Sequence, residues 1–433
     1  MRFNTLEGWL HWQESLHPNE IELGLDRVSL VLARLDLANP DFTVVTVAGT
    51  NGKGSSVAML QSILLESGYR VGTYTSPHLL RYNERIQING IPVDDNILCE
   101  SFERVDQARD LSSQQVSQTG SQQISLTYFE FGTLAAIDIF QRANVQIALL
   151  EVGLGGRLDA VNILDADVAL ITAIDIDHQS WLGTDRETIA REKAGILRPG
   201  QVAICADPNP PAALVDVAEK LSTLLFLPGE DFGVSSITNK RWEWRGIAGQ
   251  LLELPLPTLA GDFQVANAAG VLAVVEQLYE RKHIPRRVDE QEITRGLENA
   301  SLPGRFQIAG EKPMQILDVA HNPHSARALA DNLEQQICRG KTRAVVAMLA
   351  DKDIPAVLSC MTGLVNQWYL ASLHVPRGAP AQQLQDGLDG QDSHIFDDVT
   401  SAYQAALSEA DPEDRIVVFG SFFTVAEVLP QAV

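Results

Sequence analysis

Residues 43–55 read TVVTVAGTNGKGS. Thr43–Ala48 is a short run of β-branched and small apolar residues stopped by a glycine, the pattern of a buried strand. Ser55–Ser67 has the apolar spacing of the helix that would follow. Between them, Gly49, Thr50, Asn51, Gly52, Lys53, Gly54 and Ser55 make a glycine-rich turn from strand to helix. Such a turn lets consecutive backbone N–H groups face a polyphosphate, and the helix N-terminus adds a favourable dipole. Lys53 is placed to reach the β- and γ-phosphates of ATP. A tight turn carrying a surface lysine is the plainer reading. The loop departs from the standard phosphate loop in two places: Val47 stands where a first glycine is expected, and Gly54 stands where a magnesium-binding Ser or Thr is expected. Either Ser55 substitutes or the metal hydroxyl comes from elsewhere.

Working outward, the alternation of strand and helix continues on both sides, which is the mark of a parallel sheet covered by helices. Strands are expected at Val71–Thr75, Gln146–Val152, Val168–Ile174 and Val202–Ala206. Helices are expected at Thr127–Arg142 and at Asp185–Leu197, the latter capped by Thr184. Leu111–Ser125 is rich in Ser and Gln and reads as a loop, Phe232–Leu256 as an antiparallel hairpin, and Gln264–Arg281 as a helix. A Leu-Pro-Gly break at Leu302–Gly304 punctuates the chain, with the linker placed just before it. Beyond the break the alternation restarts with Gln315–Ala320, a helix from Pro323, Ala344–Leu349, Trp368–Ala371 and Arg415–Gly420. The expectation is an α/β protein of two domains. Residues 1–297 would form a nucleotide-binding domain with a mostly parallel sheet and a small antiparallel one, and residues 298–433 a smaller Rossmann-like domain.

Composition removes several function classes. A net charge of −23 leaves no basic face for nucleic acid, and no apolar run is long enough to cross a membrane. The first twenty residues carry acids early and lack the apolar core of a secretory signal. Cys99, Cys205, Cys338 and Cys360 are scattered without zinc or CxxC spacing, which points to a reducing, cytoplasmic setting. An acidic enzyme acting on anions needs its positive charge concentrated locally, from magnesium, lysine, arginine and backbone N–H groups.

Nine segments then occur in one order: the loop GTNGKGS, Thr75-Ser76-Pro77-His78-Leu79, Asn83-Glu84-Arg85-Ile86, Glu151–Asp159 (EVGLGGRLD), Asp177-His178, Arg191–Gly195 (REKAG), Pro303–Phe306 (PGRF), Asp318–Pro323 (DVAHNP) and Gly420–Val425 (GSFFTV). Together they resemble the folylpolyglutamate synthase branch of the Mur-ligase superfamily, in its bifunctional bacterial form, and cover nearly the whole chain.

The resemblance implies roles, each with a plainer alternative. It makes Ser76, Glu151 and His178 magnesium ligands, with Ser76 supplying the hydroxyl missing at Gly54; oxygen donors suit that ion, and imidazole is an unusual addition. Otherwise Ser76 is a turn residue before Pro77, Glu151 an acid needing a partner at a strand end, and His178 a satisfied polar residue. Spacing alone reads Lys193 as a solvated lysine among acidic neighbours; the family places there a carbamylated lysine that helps hold a second magnesium. Asn267 matches the residue that reads the adenine edge, its alternative being an exposed helix asparagine. Arg305 resembles an arginine directed to phosphate, Asp318 and His321 residues near the ribose and reacting centre, and Ser421 part of the glutamate site together with His321. On the pterin side stand Arg85, Thr127, Phe129, Asp159 and Ala160: Phe129 suited to stacking, Arg85 to pairing with a carboxylate. Phe129 is otherwise a core aromatic.

The implied reaction joins L-glutamate to dihydropteroate, or to the glutamyl tail of a reduced folate, through an acyl phosphate made from ATP. The implied catalytic set is Lys53, His178, Lys193, Arg305, Asp318 and His321, with two magnesium ions and a monovalent cation such as K+ as cofactors. A monomer with small-molecule partners is expected. A folylpolyglutamate synthase without the second activity, a peptidoglycan Mur ligase, a phosphotransferase and a nucleotide-dependent regulator are the alternatives. The Mur ligases carry a further domain ahead of the loop, for which the 48 residues before Gly49 leave no room.

Overall fold

The computed structural model describes residues 2–19, 21–110, 123–238, 240–388 and 390–432; residues 111–122 of the expected Ser/Gln-rich loop lie outside them. The chain divides into two compact units: Met1–Thr258 with Val265–Ala300, and Ser301–Val433 with Leu259–Gln264.

The first unit is built on β1 (Thr43–Ala48), β2 (Val71–Tyr74), β3 (Ile86–Ile88), β4 (Ile91–Pro92), β5 (Ile147–Glu151), β6 (Val168–Ile171), β7 (Val202–Cys205) and β8 (Leu224–Phe226). These form one sheet in the order β4-β3-β2-β5-β1-β6-β7-β8. From β2 to β8 every pair is parallel, while β3 and β4 are antiparallel additions at one edge. β1 occupies the middle because Val44 to Ala48 are all buried and expose no polar face. The chain leaves β1 toward β2 on one side and later runs from β5 through β6 to β8 on the other. The carboxyl ends of β1, β5 and β6 therefore lie at a point of topological reversal, where α/β sheets bind ligands.

The helix after β1 spans Lys53–Glu66, two residues earlier than its apolar spacing suggested, with Gly52 of the loop at its cap position. The helix Tyr128–Arg142 begins at a capping box: Thr127 Oγ1 accepts the Glu130 N–H at 3.3 Å and the Glu130 carboxylate accepts the Thr127 N–H at 2.7 Å. The helix Arg186–Lys193 is capped by Asp185 rather than Thr184, since the Asp185 carboxylate takes the Thr188 N–H at 2.9 Å. Phe232–Leu256 holds a three-stranded antiparallel sheet in place of the expected hairpin: β9 (Gly233–Ile237), β10 (Arg241–Arg245) and β11 (Leu251–Pro255). Trp242 and Trp244 on its central strand are buried.

The second unit carries β12 (Gln307–Glu311), β13 (Met314–Leu317), β14 (Thr342–Val346), β15 (Gln367–Ala371), β16 (Ser393–Phe396) and β17 (Arg415–Phe419), in the order β12-β13-β17-β14-β15-β16. All but β12 run parallel. Its helix Pro323–Gln335 starts where expected, with Asn322 as cap and Pro323 in the first turn, where a missing N–H costs nothing. Among the described residues no helix is long and apolar enough to cross a membrane.

Candidate active site

The loop after β1 is shaped by the segment after β6. The Thr50 N–H donates to the Ala173 carbonyl at 2.8 Å, and the Thr50 hydroxyl bonds to the Asp175 backbone at 2.9 and 3.0 Å. Gly52 holds φ +91°, a left-handed conformation natural to glycine, and a Cβ there would meet the Asn267 side chain at 2.7 Å. Asn267 is thus buried against the loop rather than exposed on its helix, with its amide directly beside the turn.

Two lysines converge on one oxygen. Lys53 Nζ donates to the Gly49 carbonyl at 3.1 Å and to the Thr50 carbonyl at 3.2 Å, and Lys193 Nζ donates to the same Gly49 carbonyl at 2.8 Å. Lys193 is only 3 % exposed, which overturns the solvated reading. Its neighbour Glu192 pairs with Arg157 at 3.0 Å, and the Arg157 N–H donates to the Glu192 carbonyl at 2.9 Å, so the loop carrying Arg157 lies on the end of the helix. A Cβ at Gly156 would stand 2.8 Å from the Glu192 carbonyl and 2.9 Å from that of Lys193, so only glycine lets this loop lie on the helix backbone. Burial, then the Lys53 charge, pull the Lys193 amine down from 10.5 to about 7, against the opposing pull of Asp177 and Asp159.

Ser76 and Glu151 come together at the ends of β2 and β5. The Glu151 carboxylate is buried and accepts the Ser76 N–H at 3.3 Å, so a hydroxyl-bearing residue and an acid sit at the carboxyl ends of the strands, as does the phosphate loop. His178 is exposed, left-handed at φ 50°, and its N–H donates to the Asp177 carboxylate at 2.7 Å; it follows Asp175, which the loop binds. No group of three His, Cys, Asp or Glu side chains that would hold a metal occurs among the described residues.

The expected pterin residues gather around the start of the helix Tyr128–Arg142. The Phe129 ring is half-buried and covers Gly153, where a Cβ would meet it at 2.8 Å; its centroid is 5.6 Å from that of Tyr74. Asp159 is buried and tied to the same glycine-rich loop, accepting N–H groups of Leu154 at 2.8 Å and Val161 at 2.9 Å. Burial raises its carboxyl to about 6, with those backbone donors and Lys53 opposing. Ala160 is buried beside it. Arg85 Nε donates to His78 Nδ1 at 2.8 Å, and the guanidinium lies 5.4 Å from the ring centroids of both Tyr82 and Tyr128.

In the second unit, the buried Asp318 carboxylate accepts N–H groups of Phe306 and Ala320, each at 2.8 Å. Burial raises its pKa and Arg305 opposes the rise. His321 Nδ1 lies 2.9 Å from the Val319 carbonyl, a bond that places the ring proton on Nδ1 and leaves Nε2 as the basic nitrogen. Phe422 packs beside both groups, 6.3 Å from the His321 ring and 5.5 Å from the Arg305 guanidinium. The Ser421 hydroxyl is buried, bonded to Thr424 Oγ1 at 2.6 Å and to the Thr424 N–H at 3.0 Å.

The sequence reading overlooked Asp175 and Thr172, which fit against Thr50 and Gly49, and the ring of Tyr82 against Arg85. Tyr82 falls between two quoted segments, so its proximity was available as a signal; Thr172 and Asp175 depend on a pairing across more than a hundred residues.

Residues 304–422 match the family described as Mur ligase, glutamate ligase domain. The chain is 45% identical over 426 residues to the dihydrofolate synthase/folylpolyglutamate synthase of Escherichia coli (strain K12), a match covering 98% of this chain and 95% of that one. Among solved structures, E. coli FolC in complex with DHPP and ADP superposes with a TM-score of 0.90 at 44% identity, covering 99% of this chain and 97% of that chain. A bifunctional folylpolyglutamate synthase/dihydrofolate synthase with Mn, AMPPNP and L-glutamate bound superposes with a TM-score of 0.88 at 45% identity, covering 100% and 98%.

Proposed function

The chain belongs to the dihydrofolate synthase/folylpolyglutamate synthase family, and on that footing we propose how its residues carry out ATP-dependent ligation of L-glutamate. The acceptors are dihydropteroate and the glutamyl tail of a reduced folate. A carboxylate is a poor acyl donor, because its oxygen leaves badly and its charge repels nucleophiles. Transfer of the γ-phosphoryl group of ATP to the acceptor carboxylate gives an acyl phosphate and ADP. The glutamate amine then attacks the acyl carbon, the C–N bond forms, and phosphate leaves.

Lys53 turns from the loop carbonyls to the γ-phosphoryl group, and Arg305 supplies further positive charge, so positioning and charge neutralisation carry the first step. Ser76 and Glu151 present oxygen donors to a hard divalent cation, which fits the donor chemistry of magnesium, with His178 as the third candidate. When bound, such an ion supplies charge neutralisation at the phosphates. His321, with Nε2 basic, is the candidate acceptor for the amine proton. Asn267 reads the adenine edge, Asp318 serves the nucleotide ribose, Ser421 contributes to the glutamate site, and Thr127, Phe129, Asp159 and Ala160 form the pterin site.

The observation that carries this reading is Lys193. A simple phosphotransfer loop needs one lysine on the phosphates; this loop buries a second amine at 2.8 Å from Gly49, with a pKa of about 7. At that value much of the amine is neutral near pH 7 and can add to carbon dioxide, forming an N–C bond and releasing a proton. The resulting carbamate is an anion suited to a second magnesium. A monovalent cation such as K+ belongs to the same proposal, as do a monomeric state and a cytoplasmic location. The test is glutamate-dependent phosphate release from ATP by the purified protein, with dihydropteroate and with tetrahydrofolate. Release with both is expected. Release with tetrahydrofolate alone reduces the protein to polyglutamylation, and release independent of glutamate overturns the ligase reading.

A further inference from the structure

Arg85 closes the single turn Tyr82–Arg85 and leads directly into β3. Its backbone is fixed, because its carbonyl accepts the Thr75 N–H at 2.9 Å. The side chain is fixed as well. Nε donates to His78 Nδ1 at 2.8 Å, the guanidinium rests 5.4 Å from the Tyr82 and Tyr128 ring centroids, and the His78 ring packs edge-on to Tyr82 at 5.9 Å. Among the described residues no carboxylate forms an ion pair with Arg85 and no acceptor takes its terminal amino groups. A guanidinium so placed has spent the one donor that sets its rotation and keeps the planar fork for an incoming group. Beside it stands Tyr74, whose ring adjoins Phe129.

We propose that His78 is a positioning residue for the acceptor substrate: it holds the Arg85 fork in the plane that grips a carboxylate of the pteroate or folate. The proposal rests on the reading of Arg85 as a carboxylate-binding residue and adds the device that orients it. His78 has no contact with substrate in this scheme; it acts through the single Nε–H···Nδ1 bond, which requires the imidazole proton on Nε2. The two tyrosine faces confine the guanidinium from the sides, and the imidazole sets its twist. Without His78 the fork turns about its last bond and the bidentate geometry is lost.

The experiment is steady-state kinetics on the full-length enzyme, with dihydropteroate, ATP and magnesium each varied, for H78A, H78N, R85A and H78A/R85A. H78A is expected to raise the KM for dihydropteroate about tenfold, the scale of one oriented hydrogen bond to a charged group, with kcat, the ATP KM and the magnesium requirement within about twofold. H78N, whose Oδ1 replaces the Nδ1 acceptor, is expected to recover most of the loss. In the R85A background, H78A is expected to add nothing. If H78A does not fold, H78L, which fills the space without an acceptor, replaces it in the comparison with H78N. Losses that multiply in the double variant, or an H78A defect that appears as a higher magnesium requirement, overturn the positioning role. An R85A enzyme with an unchanged dihydropteroate KM overturns the reading of Arg85 itself.

Discussion

Replacing Lys193 by methionine tests the burial of its amine directly. The folded protein holds this group at about 7 against an ordinary 10.5. The unfolded chain therefore keeps a proton that the folded chain has lost throughout that window, and stability rises with pH from about 7 to about 10.5. The shift corresponds to about 5 kcal/mol when fully expressed, at about 1.4 kcal/mol per unit. Partial titration at the lower end leaves about 2 kcal/mol to be gained between pH 7 and pH 9. Methionine keeps most of the volume and removes the charge, so K193M lacks this gain. Urea unfolding of both proteins, metal-free and bicarbonate-free, gives the difference at each pH, in which other titrating groups cancel. The stability of wild type relative to K193M should climb by about 2 kcal/mol across the two pH units. A flat difference would refute the reasoning, since the amine would then be solvated or already paired in the folded state. The ligase activity of K193M should be lost at every pH.

Gly156→Ala should move the end of the helix Arg186–Lys193, because its Cβ meets only backbone atoms, at 2.8 to 3.0 Å. The expected cost is about 1–3 kcal/mol, visible as a lower midpoint in urea, together with a fall in kcat that Lys53→Arg would not reproduce in stability. Asn267→Ala should raise the ATP KM about fivefold while leaving the dihydropteroate KM unchanged, as loss of about 1 kcal/mol of polar contact predicts; an effect on both substrates would place Asn267 in the fold rather than at the adenine.

The central strands were legible because they are buried on both faces. TVVTVA and QIALLEV have no polar side, and a continuous apolar run has few alternatives to a strand inside a parallel sheet. β16 and β9 were not: SHIF and GVSSI are largely exposed, so neither carries the continuous apolar run that marks a buried strand. That is why a three-stranded sheet was read as a hairpin. The phosphate loop was legible because its glycines act locally. Lys193 was not, since REKAG looks like a solvated face. What buries it is Gly156 on another loop and the Gly49 carbonyl, 144 residues away. Asn267 is similar: its helix neighbours say nothing of Gly52. Thr184 and Asp185 compete as caps over a single position, which only the Thr188 hydrogen bond settles.

The shared Gly49 carbonyl links the protonation of Lys193 to what the loop binds. The Lys53 ammonium weakens the hold of Lys193 on its proton. An arriving polyphosphate reverses that balance, so nucleotide binding near neutral pH draws a fraction of a proton onto Lys193. Calorimetry in two buffers of different ionisation enthalpy would report this as unequal heats. Capture of carbon dioxide needs the same amine without its proton. The two events therefore oppose each other through one protonation state, and excess bicarbonate is expected to weaken nucleotide binding in metal-free calorimetry.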